Sequence, residues 1–315
     1  MNVLITGGAG FIGSHLADRL IARGDKVLVI DNYATGRRDN LKPHANLTVV
    51  EGTIADRQTV NDAFGSFGPD LVIHAAASYK DPDNWIEDAK TNVEGTANIV
   101  KASKVAGTKR IIYFQTALCY GLVPLEQPIT LKHPIRSTGS SYAISKTAGE
   151  QYVDLGGIDY ISFRLANAYG PRNLSGPLPT FYHRLTEKKA CFVMDTRRDF
   201  IYIDDLVGCV MKAIDGAGRK GAYHISSGSD FSIKELFDAT VKALKISLDK
   251  PVEVRPRNPD DTYTILLDPS ETNKDFGWKV TTPLETGVDR AIAYYKEFGI
   301  SQTYTHLKGV DGGKH

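Results

Sequence analysis

Short runs of aliphatic and β-branched residues alternate along the first half of the chain with longer stretches whose apolar residues recur at helical spacing. Residues 3–6, 27–30, 47–50, 71–75, 110–114 and 160–164 read as strands, and residues 11–22, 58–64, 85–105 and 141–155 as helices. The strand runs are nearly continuous in apolar character, as strands covered on both faces require. Strand and helix in steady succession predict right-handed crossovers, and so an α/β fold on a doubly wound parallel sheet.

The rhythm loosens after residue 169, where Gly170-Pro171-Arg172 and Gly176-Pro177-Leu178-Pro179 interrupt the periodicity. This predicts a first domain over residues 1–170 and a smaller α/β substrate lobe over 171–315. Residues 198–205 read as a strand running into a helix and 222–225 as another strand, so the two units are expected to interleave. The Gly-rich stretch 308–315 is expected to fray.

Thirty-eight basic residues against 37 acidic ones leave a formal charge of +1. The basic residues come only in short stretches such as Arg37-Arg38, which argues against nucleic acid as a partner. Met1 leads into Asn2-Val3-Leu4-Ile5-Thr6 without a charged leader, and no apolar run reaches bilayer-spanning length, so a cytoplasmic protein with no membrane partner is expected. Cys119, Cys191 and Cys209 are odd in number and far apart, which fits reduced packing thiols. Eight histidines scattered without ligand spacing predict no metal site.

The first candidate for chemistry is the loop Gly7-Gly8-Ala9-Gly10-Phe11-Ile12-Gly13, which leaves a predicted strand and enters a predicted helix. Gly7 permits the tight turn, Gly10 removes a side chain where a pyrophosphate approaches, and Gly13 lets helix and sheet pack closely. Phosphates would then lie at the helix N-terminus, where Phe11 and Ile12 follow and free N–H groups favour negative charge. Asp31 ends the second strand, at the distance of the acid that binds the adenosine ribose hydroxyls in dinucleotide sites of the Rossmann type. A carboxylate there repels a 2′-phosphate and favours NAD over NADP. The alternative is a solvated acid opening the turn Asp31-Asn32-Tyr33, with Arg37 and Arg38 close enough to tolerate a 2′-phosphate.

The second candidate is Tyr142 with Lys146, which share one face of the helix predicted over 141–155. A phenol near its ordinary pKa of about 10 is a poor base at neutral pH. Lowering it by roughly three units takes about 4 kcal/mol, which a nearby ammonium and a positive nicotinamide ring can supply. Thr116 closes the preceding strand, at the sheet edge where ligands bind. Read blandly, Thr116 caps a strand and Tyr142 fills the core. The spacing itself is not unique, since Tyr304-Thr305-His306-Leu307-Lys308 repeats it; that pair follows no βαβ series and is set aside.

Taken in order, Thr6–Gly13, Asp31-Asn32, Asn92-Val93-Glu94-Gly95-Thr96, Thr116 with Tyr120-Gly121, Tyr142 with Lys146, Arg164 with Asn167, and the stretch 198–205 resemble the NAD-dependent epimerase/dehydratase family of extended short-chain dehydrogenases. The resemblance covers nearly the whole chain. It implies a Rossmann-type sheet, bound NAD, and a nucleotide-diphosphate sugar, most often a UDP-sugar. It implies that Tyr142 is the base, that Lys146 tunes it and holds the nicotinamide ribose, and that Thr116 hydrogen-bonds the sugar oxygen being oxidised. The cofactor groove would be continued by Asn32, Gly36, Thr53 and Ile54, and by Ala75, Ala76, Lys80 and Asn92. Asn167 and Arg198 would meet the sugar diphosphate, while Leu178, Pro179 and Phe181 would shape the base pocket. For Arg198 a surface ion pair with Asp199 is the other reading, and Asp204 and Asp205 read as helix caps.

Three departures from the family pattern stand out. Thr53 replaces an acid that meets the adenine amine, and the family's second diphosphate arginine has only the offset Arg257 to represent it. At Thr116-Ala117-Leu118 the carboxyl group typical of dehydratases and decarboxylating synthases is missing. The resemblance therefore implies epimerisation at C4 through a 4-keto intermediate, with a 4,6-dehydratase, a decarboxylating synthase or a keto-sugar reductase as alternatives. A catalytically silent NAD-sensing scaffold would be expected to have lost Tyr142, Lys146 or Thr116. A homodimer is expected from the resemblance and from apolar residues on the helices over 85–105 and 141–155.

Overall fold

A computed structural model describes residues 1–258, 261–300 and 302–304. The stretch 308–315, expected to fray, and Lys308 of the second Tyr–Lys pair lie outside the described residues. The first half runs β1 (Asn2–Thr6), α1 (Phe11–Ala22), β2 (Lys26–Asp31), β3 (Leu47–Glu51), α2 (Arg57–Phe67), β4 (Leu71–His74) and α3 (Trp85–Asp88). After a π-helical segment, Ala89–Gly95, come α4 (Thr96–Ala106), β5 (Arg110–Thr116), α5 (Ser141–Leu155), β6 (Asp159–Leu165) and β7 (Asn167–Tyr169). The second half runs α6 (Pro177–Thr186), β8 (Phe192–Met194), β9 (Arg197–Arg198), β10 (Phe200–Tyr202), α7 (Ile203–Ile214) and β11 (Gly221–Ile225). It ends with β12 (Phe231–Ser232), α8 (Ile233–Leu244), β13 (Glu253–Arg255), α9 (Ser270–Phe276) and α10 (Leu284–Phe298).

Seven strands form one sheet in the order β11-β6-β5-β4-β1-β2-β3, and every pairing within it is parallel. Alternate residues of each inner strand enter different cores. Val3, Ile5, Val29 and Ile112 join one apolar cluster, while Leu4, Leu28, Ile30 and Ile111 join the other. Burial on both faces is what the unbroken apolar runs encode. The strand order reverses between β1 and β4, so a crevice opens beyond their C-terminal ends. The expected seam at residue 170 is crossed twice, because α7 packs on α1 and β11 becomes the outer strand of the main sheet. Three small two-stranded sheets and the helices α6, α8 and α10 build the remainder.

One difference from the periodicity lies in the helix expected over 85–105, which is α-helical only at its two ends. The wider π turn brings Asn92 inward, where its amide bonds the N–H and carbonyl of Ser78 at 2.9 and 3.0 Å. Gly95 in the same segment leaves no room for a Cβ, which would stand 2.6 Å from Ile54. No helix among the described residues is long and apolar enough to cross a membrane.

Candidate active site

A cleft of about 1280 Å³ opens at the strand-order reversal and is lined by residues of both halves of the chain. Its floor is the glycine loop. Gly7 has φ +68°, and a Cβ there would come within 2.7 Å of the Ala76 nitrogen, so the loop lies directly on the segment after β4. A Cβ on Gly13 would collide with the Gly7 carbonyl, which explains why helix α1 can start so close to the turn. Gly10, Phe11, Ile12 and Gly36 line the same floor.

Asp31 sits at the end of β2, and its two carboxylate oxygens accept N–H bonds from Ala9 and Tyr33, each 2.8 Å. Burial pushes its pKa up and the two N–H donors pull it back. Each oxygen keeps a lone pair for a ribose hydroxyl. Turn-opening acid and cleft acid are therefore the same residue, because Asp31 both anchors the turn and lines the cleft. Arg37 pairs with Asp39, and Arg38 pairs with Glu51 while stacking 4.0 Å from the Tyr33 ring. Neither arginine lines the cleft, which removes the support for a 2′-phosphate. Asn32, Thr53, Ile54, Ala75, Ala76 and Lys80 all line it. The Thr53 hydroxyl oxygen accepts the Ala55 N–H at 3.2 Å and retains its own proton to donate. Asn92 does not line the cleft: it is 1% exposed and works from behind, holding Ser78 and the Ser145 hydroxyl.

Tyr142 and Lys146 project from α5, whose N-terminus is capped by the Ser140 hydroxyl accepting the Ala143 N–H at 3.1 Å. Both line the cleft with Thr116, Ala117 and Leu118. Lys146 is 2% exposed and its ammonium lies 4.0 Å above the Tyr113 ring. Burial brings its pKa down to about 7, with Glu150 one turn further along pulling it back up. Tyr142 moves the other way: burial pushes the phenol above its ordinary range, and Tyr79 and Asp88 add to the shift. The lowered phenol expected from the pair is not what burial gives, because desolvation of the phenolate pushes the other way. Positive charge beside Tyr142 would favour its ionised form. The Thr116 hydroxyl accepts the Leu118 N–H at 3.2 Å and so caps the short turn Ala117–Tyr120, leaving its proton free to face the cleft.

Beyond the catalytic groups, Asn167, Leu178 and Arg198 line the cleft. Pro179 and Phe181 do not. They lie on the inner side of α6, where Phe181 meets the Phe237 ring with centroids 5.1 Å apart, so they are core residues rather than pocket walls. Arg257 is exposed, bonds the Asp261 carbonyl and stays outside the cleft. Arg198 makes no pair with Asp199. One of its terminal nitrogens takes both Asp261 oxygens at 2.8 Å, and the other donates to the Arg197 and Thr262 carbonyls. Asp199 is fully buried, holding Ser226, Ser227 and the Leu267 N–H. Asp205 accepts the N–H groups of Thr281 and Thr282 instead of capping α7, and Asp204 pairs with Arg19 and Arg290.

Periodicity and spacing gave no sign of three cleft residues. Gln115, the residue before the last in β5, accepts the Thr116 N–H on its side-chain oxygen at 2.8 Å, Tyr79 stands edge-on to Tyr142 with centroids 6.5 Å apart, and Asp261 holds Arg198. Tyr79 belongs to a loop with no periodic signal, and Asp261 is 63 residues from its partner.

A family model for the NAD dependent epimerase/dehydratase family matches residues 3–226. The chain belongs to that family. NAD is its cofactor, and the residues present fit it: a glycine floor with no space for side chains, a cleft acid that excludes a 2′-phosphate, and no competing arginine. The putative UDP-glucose 4-epimerase of Methanocaldococcus jannaschii is 29% identical over 312 residues, 93% of this chain and 98% of that protein. The crystal structure of the Bordetella bronchiseptica enzyme WbmH in complex with NAD⁺ is 54% identical, with a TM-score of 0.92 over 95% of this chain and 99% of its own. WbmG of the same organism, in complex with NAD and UDP, is 43% identical with a TM-score of 0.90, over 97% and 98% of the two chains. This family member covers these three proteins almost end to end.

Proposed function

We propose that the chain inverts the C4 centre of a UDP-linked sugar through a 4-keto intermediate, without net redox change. The observation that carries this is the composition of the cleft wall at the reacting position: Thr116, Tyr142 and Lys146 converge there, and the neighbours of Thr116 are apolar. NAD held by the glycine floor, Asp31 and Lys146 would supply the acceptor and donor of one hydride. Tyr142 takes the proton of the sugar hydroxyl and later returns it. Lys146 carries charge beside that phenol, and Thr116 donates a hydrogen bond to the same oxygen. Water loss across C5 and C6 needs an acid or base at each carbon, and Ala117 and Leu118 supply neither. Return of the hydride is what remains for a keto-sugar held in this wall.

The UDP reading is supported by the name of the Methanocaldococcus jannaschii relative and by UDP in the WbmG complex. Asn167, Leu178 and Arg198 are the cleft residues that would meet it. A cytoplasmic location agrees with three free thiols, and a homodimer is supported by the uncovered apolar residues of α3, α4 and α5. Incubation with UDP-sugars, followed by mass spectrometry and proton NMR, tests the reaction. The expected product has unchanged mass, inverted C4 and no accumulated NADH; loss of water or carbon dioxide, or a stoichiometric need for reduced cofactor, would defeat the reading.

A further inference from the structure

Tyr304 has no role in the chemistry above, yet it lies in the cleft with Gln302 and Thr303. Its backbone is bound to one wall. The Tyr304 N–H donates to the Leu174 carbonyl at 2.8 Å, and the Tyr304 carbonyl accepts the Gly176 N–H at 3.1 Å. These two bonds set Tyr304 beside Ser175 in parallel register, on the strip that leads directly into α6 and Leu178. Its ring is held by the opposite wall, where the Lys80 ammonium stands 4.9 Å from the ring centroid. Lys80 belongs to the loop after β4 that covers the glycine floor, and it makes no salt bridge among the described residues. Tyr79, next to it, lies beside Tyr304 and Thr35 and edge-on to Tyr142.

We propose that Tyr304 and Lys80 form a clasp across the cleft that retains NAD. Two backbone hydrogen bonds fix the Tyr304 segment to the substrate wall, and one cation–ring contact joins it to the cofactor wall. The first attachment is firm. The second is a cation–ring contact whose Lys80 end is exposed, weak enough to open and close without unfolding anything. A dinucleotide lying on the glycine floor and reaching toward Lys146 passes between these walls, so it cannot leave while the clasp is shut. The ring makes the contact and the hydroxyl does not, since the Tyr304 hydroxyl is directed at Gln302 at 3.2 Å. Lys80 thus serves the cofactor by closing over it as well as by lining its groove.

The test follows exchange of bound NAD against an excess of isotopically labelled NAD, in full-length protein and with no sugar added, so its outcome is independent of the epimerase reading. Tyr304→Ala should speed release roughly two- to fivefold, with the thermal midpoint unchanged, while Tyr304→Phe releases NAD at the wild-type rate. Lys80→Met should also speed release, and the double variant should release no faster than the faster single variant, because both open the same contact. Wild-type release from Tyr304→Ala, equal acceleration by Tyr304→Phe, or multiplying effects in the double variant would each overturn the clasp.

Discussion

Lys146 held near neutrality and Tyr142 held above its ordinary range sit one helical turn apart, and each shift has burial as its largest cause. Positive charge beside such a phenol favours its ionised form, so a nicotinamide ring bound there would assist proton abstraction by Tyr142. Tyr142→Phe should lower turnover by roughly two to four orders of magnitude with NAD retained, whereas Tyr304→Phe should leave turnover at its wild-type value. Steady-state assays on the two variants, with the bound nucleotide measured after denaturation, check both. Lys146→Met removes the chain's own cation from the phenol. An opposite charge lowers a phenol's pKa, so its loss raises it, and the rising limb of the turnover–pH profile should move to higher pH by about one unit or more. A profile that stays in place would mean that Lys146 acts only by holding ligand. At this scale Thr116, Tyr142 and Lys146 were legible as cleft residues because each belongs to a strand end or a helix face with a fixed period. Arg198 was placed in the cleft but not with its partner, because no period links it to Asp261.

Elements were legible where burial imposes a period and illegible where a single side chain overrides it. The continuous apolar runs of β1, β2 and β4 encode a sheet covered on both faces, and the structure covers both. By contrast, the π-helical segment Ala89–Gly95 keeps an ordinary helical composition, and its form depends on Asn92 reaching Ser78 and Ser145. The joint between β9, β10 and β11 is another such case. Asp199, which reads as a surface charge, lies between β9 and β10. It collects the Ser226 hydroxyl at 2.5 Å, the Ser227 N–H and hydroxyl at 3.0 and 2.8 Å, and the Leu267 N–H at 3.3 Å. Burial pushes its carboxyl up to about 6 against the pull of those donors. Asp199→Ala leaves two buried N–H groups without an acceptor, and should lower stability by about 2–4 kcal/mol. Chemical denaturation measures this as a lower midpoint; Asp199→Asn, which keeps an acceptor in place, should lose less.

At the scale of the whole molecule, α5 has two faces with different tasks. Its inner face carries Tyr142 and Lys146 into the cleft, and its outer face leaves Ile144, Tyr152 and Leu155 uncovered, with Leu155 77% exposed. Beside them Ile86 is 68% exposed, and a shallow groove lined by Ile86, Ala89, Val93, Ala97 and Tyr152, with Lys90 and Glu94 among them, runs between α5 and the helices before it. Apolar surface of this kind on adjacent helices is most simply covered by a second copy, in which two helices from each chain pack around a two-fold axis. Light scattering at micromolar concentration should therefore return twice the mass of the chain. A charge placed in such an interface must be buried without a partner, so Ile86→Asp and Leu155→Asp together should return the mass of one chain. Because the same helix carries the base, that monomer should also lose turnover more than it loses NAD: the glycine floor belongs to β1 and α1, far from the uncovered face, while Tyr142 depends on an α5 whose outer side has lost its cover. A wild-type protein of single-chain mass, or a charged double variant that remains dimeric, would show that these residues are not the interface.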